Sequence, residues 1–272
     1  MRYYYQGTAF DQTATLAGGP YGMPDRFAGS LEVEGSWERT IGLYRTSDSY
    51  IVQSRSWLPN AVGGVLWFGS HAAPYTTYVP YLAGMQSLPA VTLGYQAEAD
   101  KGTFFWAHRY MAQLVRNDWR RMMPDLDSAR ATWHNASLAM LAEVESKVTP
   151  RSAVSRRHLL QEEGLSHYIT SACSKHAQAL LKEAWSLYDA LQFKYADGWL
   201  NEVSANGEFS STSVQYPAWW LRAVNYSGGP GPVPPRPHEQ KCAAGRVKDC
   251  TEKCSAHTDN YVACVSQCTE GC

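Results

Sequence analysis

The spacing of hydrophobic residues differs between the two main parts of the chain. In residues 37–83, apolar residues fall in short runs separated by Gly, Ser, Asp and Pro, which is typical of β-strands and turns. A continuous apolar run, residues 65–68 after Gly63-Gly64, is expected inside a layered fold. The pattern predicts four strands. The first carries Trp37, Ile41 and Leu43, and the second, residues 50–52, follows a turn at 47–49. The third is residues 65–68, and the fourth, residues 76–79, ends at Pro80.

Residues 103–200 have apolar side chains three and four positions apart, which predicts amphipathic helices. Asp127 is the expected N-cap of the second helix, and the third is expected to stop near Gly198. The predicted buried stripes are Phe104, His108, Met111, Val115 and Trp119 in the first helix, Trp133, Met140, Leu141 and Val144 in the second, and Leu165, Ile169, Cys173, His176, Leu180, Ala184, Leu187 and Leu191 in the third.

A block of strands followed by a block of helices indicates an α+β fold, in which helices cover one face of an antiparallel sheet. The other face also needs a cover, and few elements remain to provide it. We therefore expect part of the fold to lie outside these residues. The domains predicted are a main domain over 1–226, an extended Gly/Pro linker over 227–237 and a cysteine-rich tail over 238–272.

Composition narrows the classes of protein that fit. With 44% hydrophobic and 18% charged residues over 272 positions, the chain is globular rather than disordered. A net charge of −1 argues against binding to nucleic acid or to a membrane surface. The chain has no apolar run of the roughly 18 residues that span a bilayer. The first residues lack the apolar segment of a signal peptide, which disagrees with the oxidising compartment that the cysteines indicate below. We therefore expect the natural start to lie upstream.

The cysteines cluster in the tail, and only Cys173 lies outside it. An even cluster of this kind indicates disulfides and hence a secreted, lysosomal or other endomembrane compartment. Two N-glycosylation triplets, at Asn135 and Asn225, agree with that compartment. The six tail cysteines are Cys242, Cys250, Cys254, Cys264, Cys268 and Cys272.

Two of the cysteine pairs have i, i+4 spacing, so each pair would lie on one face of a helix. This predicts a helical hairpin with nested disulfides, in which Cys250 pairs with Cys268, Cys254 with Cys264, and Cys242 with Cys272. Zinc binding by the same cysteines is the alternative, although three-residue spacers are less typical of zinc than two-residue spacers.

Several ordered segments resemble the C-terminal part of the N-terminal-nucleophile (Ntn) cysteine dipeptidases of the dipeptidase A type, which are related to secernins. They are YYQGT at 4–8, AGGPYGMPDR at 17–26, RTIGLYRT at 39–46, QSRSWLP at 53–59, GGVLWFGSHAA at 63–73, YVPY at 78–81 and KGTFFW at 101–106. This resemblance covers about half of the chain and does not include the tail.

The resemblance implies an αββα sandwich that hydrolyses short peptides without a cofactor or metal. The family nucleophile is a cysteine made N-terminal by removal of a propeptide, and its own α-amino group acts as the base. No cysteine precedes Cys173 here, so the nucleophile-bearing N-terminal half is expected to be a separate or missing partner and this chain alone to be inactive. A non-catalytic relative that acts as a binding or structural module is the alternative.

Candidate site residues follow from the same resemblance. Arg26 or Arg45 would support the nucleophile, Thr46 would donate to the substrate, and Asp11 would hold its α-amino group. The alternative, which the residue types favour, is that Arg26 and Arg45 are solvated or loop-bracing residues and that Asp11 caps a turn. Cys173, with His176 three residues later, fits core packing better than a nucleophile because it lies on the apolar face of its helix.

Overall fold

The computed structural model describes residues 4–27, 35–37, 39–148, 162–229 and 250. It separates into two compact units, Met1–Trp220 and Leu221–Cys272. The first unit contains antiparallel sheets and helices, which confirms the α+β class.

The main sheet has three antiparallel strands in the order β1 (Asp48–Ser54), β2 (Gly64–Ser70) and β3 (Val79–Leu82). A short helix, α1 (Asn60–Gly63), links β1 to β2. The central strand is β2, as the apolar run predicts. Its Val65 and Trp67 are buried, while Leu66 and Phe68 on the opposite face are half-buried.

Two strand predictions were wrong in detail. The run with Trp37, Ile41 and Leu43 forms bends and a turn rather than a strand, and Ile41 is 73% exposed. The last strand begins at Val79 rather than Thr76. Thr76 precedes it, and its hydroxyl bonds the carbonyl oxygen of Ser70 and lies 3.0 Å from Nδ1 of His108. Pro80 lies within β3, where it is tolerated because β3 is at the edge of this sheet.

Three long helices pack on the sheet: α2 (Phe104–Val115), α3 (Trp119–Val148) and α4 (Glu162–Lys194). The predicted stripe of α2 is buried, but a 3₁₀ turn at Arg116–Asp118 separates it from Trp119. The predicted start of the second helix was wrong, since α3 begins at Trp119 and contains Pro124. Apolar residues anchor this added N-terminal part of α3, namely Trp119, Met122, Met123 and Leu126.

Asp127 pairs with Arg130 within α3 rather than capping a helix. The helix α4 ends at Lys194, and a 3₁₀ turn over Ala196–Gly198 follows it, close to the expected end at Gly198.

A second sheet was not predicted. It is a hairpin of β4 (Trp199–Val203) and β5 (Phe209–Ser213), followed by the short helix α5 (Ala218–Ala223). The residues of β5 are mostly polar, so a search for alternating apolar residues does not predict this strand. The turn nevertheless contains Asn206-Gly207, a common hairpin signal, and Gly207 has a positive φ of 85°.

One contiguous hydrophobic core lies between the three long helices and the face of the sheet that carries Val65 and Trp67. The other face is apolar as well. Tyr50 and Val52 of β1 lie on this face beside Phe68 and Leu66 of β2. Tyr50 is 59% exposed and Val52 is 68% exposed. Exposed apolar side chains on a sheet face indicate a surface suited to further packing.

The second unit, Leu221–Cys272, is described for residues 221–229 and 250. Asn225 is exposed in the left-handed conformation just before a 3₁₀ turn, Tyr226–Gly228. Cys250 is buried and disulfide-bonded. The other five tail cysteines, and most of the predicted linker, lie outside the described residues, so the linker, the hairpin and its disulfide pairing stay predictions. None of the described helices is long and apolar enough to cross a bilayer.

Two leucines of α3 test the position of the core. Leu126 is 1% exposed, whereas Leu138 is 46% exposed. We expect Leu126→Ala to lower the free energy of unfolding by about 2–5 kcal/mol, because it leaves a cavity. Leu138→Ala is the matched control and should cost less than about 1 kcal/mol. Urea unfolding measures both, and equal losses would contradict the placement of α3.

Candidate functional site

Arg26 holds together the loop that spans residues 4–27. Its guanidinium donates to the carbonyl oxygens of Gln12 (2.7 Å), Met23 (2.7 Å) and Asp25 (2.9 Å). A guanidinium surrounded by carbonyl oxygens fixes the backbone around it. Arg26 therefore braces the loop in this structure. It also fixes the backbone of the preceding residue, Asp25, whose side chain is buried.

Asp25 forms a buried ion pair with Arg116. Its Oδ2 accepts from Arg116 Nε at 2.7 Å and from the hydroxyl of Tyr75 at 2.6 Å. The Asp25 side chain is 2% exposed and that of Arg116 12%. Burial raises the pKa of Tyr75, and the charge of Asp25 raises it further, so this hydroxyl remains a donor. Burial opposes the charge of Arg116, but Tyr75 and Asp25 outweigh it and raise its pKa.

A cavity of about 230 Å³ lies beside this pair. Arg45 and Thr46, two of the predicted site residues, line it, whereas Arg26 and Asp11 are not among the described lining residues. Its exposed lining residues, such as Arg45, Gln96 and Gln113, form what we call the rim, and the more buried ones, His71, Arg109 and Arg116, the floor. The described residues that line it are Phe27, Tyr44, Arg45, Thr46, Ser47, His71, Gln96, Phe105, Arg109, Gln113 and Arg116.

The cavity is cationic. Arg45, Arg109 and Arg116 line it, and none of its described lining residues is acidic. Arg109 packs over the rings of Phe105 and Trp106, at 5.7 and 5.2 Å from their centres. Arg116 packs over Tyr75 at 4.8 Å, and its Nη2 is buried without a hydrogen-bond partner among the described residues. This arrangement favours an anionic ligand.

His71 forms part of the cavity floor. It has a positive φ of 72°, which is rare for a residue with a side chain, and its backbone N–H donates to Ser47 O at 2.6 Å. The ring is buried, and Nε2 has no partner among the described residues. Burial, together with the nearby Arg116, His108 and Arg109, lowers the pKa of His71 to about 3. The ring is therefore neutral at pH 7.

His108 of α2 fixes the connection that carries His71. Its Nδ1 lies 3.0 Å from Ser70 O, and its Nε2 accepts from the backbone N–H of Thr77 at 3.2 Å. An acceptor at Nε2 assigns the proton to Nδ1, so the ring is neutral. Burial lowers the pKa of His108 to about 4. One neutral imidazole thus joins the end of β2 to the segment before β3.

Cys173 is a core residue. It is 0% exposed on α4, and burial raises its pKa, which disfavours the thiolate. His176 does not activate it in this structure, because its Nε2 bonds the hydroxyl of Ser137 at 2.8 Å. Both facts agree with core packing.

Asp11 caps a turn. It accepts from the backbone N–H and hydroxyl of Thr13, at 2.9 and 2.7 Å, and from the N–H of Gly7 at 3.2 Å. Burial alone would raise its pKa, but these bonds and the charge of Arg120 lower it overall. The substrate-binding role of Asp11 and the catalytic support by Arg26 remain predictions.

The two glycosylation triplets occupy different settings. Asn135 is exposed on α3, but Ser137 of the same triplet is 0% exposed. Asn225 and Ser227 are both exposed. Use of either triplet also remains a prediction.

The sequence analysis missed Asp25, His71, Arg109 and Arg116 as site residues. Asp25 and His71 stand in segments that resemble the dipeptidases, at 17–26 and 63–73, so a signal was present for those two. Arg109 and Arg116 fall on polar positions of a helical pattern and have no local signal.

Comparison with known proteins supplies the family. Residues 1–132, which include the whole cavity, match the model of Peptidase family C69. The described residues that line the cavity therefore all lie in the region that is similar to this family.

Curated relatives of the C69 region have dipeptidase names. A probable dipeptidase A of Streptococcus pyogenes serotype M3 (strain SSI-1) is 24% identical over 186 residues, which cover 68% of this chain and 36% of the relative. A dipeptidase of Bifidobacterium longum (strain NCC 2705) is 29% identical over 117 residues, 43% and 20% of the two chains. A probable dipeptidase of Salmonella dublin is 32% identical over 102 residues, 38% and 18% of the two chains. The chain thus spans about a third or less of the curated relatives it matches.

The ion pair beneath the cavity is testable by removing its negative charge. We expect Asp25→Asn to lower the free energy of unfolding by about 3–5 kcal/mol, because it leaves the buried Arg116 without an anionic partner. Glu143→Gln removes a carboxylate from the exposed pair with Lys147 on α3 and should leave stability nearly unchanged. Urea unfolding compares the two, and similar small losses would show that water solvates Asp25.

The neutral state of His108 predicts a pH dependence of stability. Between its ordinary pKa of 6.5 and about 4, the unfolded chain binds a proton at His108 that the folded chain does not. The contribution of His108 to the free energy of unfolding is therefore fully present above pH 6.5. Below that pH it falls by about 1.4 kcal/mol per pH unit until about pH 4.

His108→Gln should lower the slope of the free energy of unfolding against pH by the amount that corresponds to one proton, about 1.4 kcal/mol per pH unit. This holds whatever the effect of the substitution on absolute stability. His134→Gln, which replaces an exposed histidine of α3, is the matched control. Urea unfolding at several pH values between about 4 and 6.5 measures the slope, and an unchanged slope in His108→Gln would contradict the assignment.

Proposed function

We propose that this chain is part of a cysteine-type dipeptidase and contributes the substrate-binding cavity beside His71. The C69 match, the dipeptidase names of the relatives and the presence of Arg45 and Thr46 in that cavity support the proposal. The observation that carries it is that a cationic cavity lies wholly within the C69 region.

We place the attacking thiol on polypeptide outside these 272 residues. Of the described cysteines, Cys173 is buried in the core and Cys250 is disulfide-bonded, so neither offers a reactive thiol. A nucleophilic cysteine needs solvent access and a setting that favours the thiolate. The Arg45 guanidinium at the rim of the cavity is suited to supply that setting.

The exposed face of the main sheet supports the proposed αββα sandwich. Tyr50 and Val52 on this face are well exposed, and β1 is an edge strand of the described sheet. A second sheet packed face to face would bury these side chains. In the proposed enzyme, that second sheet comes with the nucleophile.

The reaction follows the chemistry of an N-terminal cysteine. Its α-amino group takes the thiol proton, and the thiolate attacks the peptide carbonyl carbon, so that a C–S bond forms. Hydrogen-bond donors stabilise the oxyanion, for which Arg45 and Thr46 are the candidates. The C–N bond then breaks as the proton passes to the leaving amine. Water hydrolyses the resulting thioester and restores the thiol.

We further propose that the protein acts in a secreted or endomembrane compartment. The tail cysteines and the two sequons support this location, because disulfides persist in oxidising compartments. The tail would then be a disulfide-stapled element of the same enzyme.

The native protein tests the proposal. Isolated from its source with an antibody against residues 162–229, it should be larger than 30.3 kDa or carry a second chain, and it should hydrolyse dipeptides. Iodoacetamide should abolish that hydrolysis because the nucleophile is a thiolate. The 272-residue chain expressed alone is the control and should be inactive.

Two outcomes would contradict this function. Hydrolysis by the 272-residue chain alone would place the nucleophile within it. A native protein without any peptidase activity would instead favour the non-catalytic alternative, in which the fold and the tail serve binding or structure.

A further inference from the structure

We propose that the cavity floor formed by His71, Arg109 and Arg116 binds the C-terminal carboxylate of a short peptide. The identity of the ligand as a peptide rests on the proposed function. The assignment of a carboxylate subsite rests on the geometry of these three residues.

The charge of the cavity is the first argument. Three arginines are among the described lining residues and no acidic residue is, although the whole chain carries a net charge of −1. Asp25 compensates Arg116 from outside the cavity, which leaves Arg45 and Arg109 as excess positive charge among the lining residues. A monoanion can enter here without meeting a lining carboxylate.

The orientation of Arg116 is the second argument. Asp25 holds its Nε at 2.7 Å, and the ring of Tyr75 supports its plane at 4.8 Å. The guanidinium is therefore fixed before any ligand arrives, and its buried Nη2 still lacks a partner among the described residues. A fixed planar guanidinium with an unused N–H is suited to a carboxylate oxygen.

His71 provides the third argument. The residue is 6% exposed, and its Nε2 is a buried polar atom without a partner among the described residues. An unsatisfied buried group of this kind costs free energy, and so does a positive φ at a residue with a side chain. Both features fall on one residue of the cavity floor, as expected where the fold is built around a ligand.

The size of the cavity selects the end of a peptide. Its volume of about 230 Å³ lies below the range of roughly 300–1,000 Å³ typical of pockets that enclose a whole ligand. One terminal residue with its carboxylate is therefore a better fit than the middle of a long chain. Gln96 and Gln113 at the exposed rim are placed to contact the adjoining peptide group.

Isothermal titration calorimetry of the 272-residue chain tests the subsite without catalysis. We expect saturable binding of Ala-Ala and at least about tenfold weaker binding of Ala-Ala-NH2, because the amide removes the charge that Arg109 and Arg116 recognise. Ala-Asp-NH2 carries a carboxylate on its side chain only, and it should bind no better than Ala-Ala-NH2.

Arg109→Gln is the variant of choice, because Arg109 lacks the buried ion pair that makes Arg116 important for folding. It should weaken Ala-Ala binding severalfold and leave Ala-Ala-NH2 unaffected. Arg39→Gln removes a positive charge from an exposed residue that is not among the described lining residues, so it is the matched control and should change neither affinity. His71→Asn keeps a residue that tolerates positive φ and should also weaken Ala-Ala selectively.

Several results would overturn the subsite. These are equal affinity for Ala-Ala and its amide, tight binding of Ala-Asp-NH2, an equal effect of Arg109→Gln and Arg39→Gln, or no binding of Ala-Ala. Discrimination between Ala-Ala and its amide by a native protein that lacks peptidase activity would support the subsite and refute the proposed catalysis. Hydrolysis that is indifferent to C-terminal amidation would refute the subsite and leave the catalysis standing.

Discussion

The buried ion pair between Asp25 and Arg116 is the interaction on which the rest of the described site depends. Asp25 lies in the N-terminal loop, Tyr75 in the connection between β2 and β3, and Arg116 at the junction of α2 and α3. A carboxylate this deeply buried is tolerated only when it is paired and hydrogen-bonded. The pairing therefore holds three distant segments together and also sets the direction of the Arg116 guanidinium.

The helices support this arrangement through the break between α2 and α3. The stripe from Phe104 to Val115 was predicted correctly, but a 3₁₀ turn at Arg116–Asp118 interrupts it before Trp119. Arg116 is the first residue of that turn. Because the chain leaves the regular helix there, the guanidinium reaches Asp25 while Trp119 still packs edge-on against Tyr75, with ring centres 5.5 Å apart.

Features that depend on near neighbours could be predicted from the sequence. The central strand β2, the buried stripe of α2 and the burial of Cys173 follow from local apolar patterns. The hairpin of β4 and β5 had a local signal at Asn206-Gly207, but the polar residues of β5 concealed it. The Asp127 cap failed because a helix start was inferred from one side chain, whereas buried apolar residues from Trp119 onward extend α3.

The site itself has no such apolar pattern, although Asp25 and His71 lie in segments that resemble the dipeptidases. Asp25 and Arg116 are 91 positions apart, and an aspartate at the end of a Gly/Pro loop looks like any turn residue. The positive φ of His71 is equally hidden, because most residues in that conformation are Gly or Asn. Only the tertiary fold brings these groups into one cavity, whereas the resemblance to a family could point to Arg45 and Thr46 without it.

The contrast between the global and local charge shows what composition conceals. A chain with a net charge of −1 places three arginines around one small cavity, so the local potential is opposite in sign to the total. The same positive potential that attracts a carboxylate also favours a thiolate over a thiol at the rim. Binding of the carboxylate and activation of the nucleophile therefore both require a positive potential. In the proposed enzyme, this segment therefore carries the charge for both, and the sulfur lies on another segment.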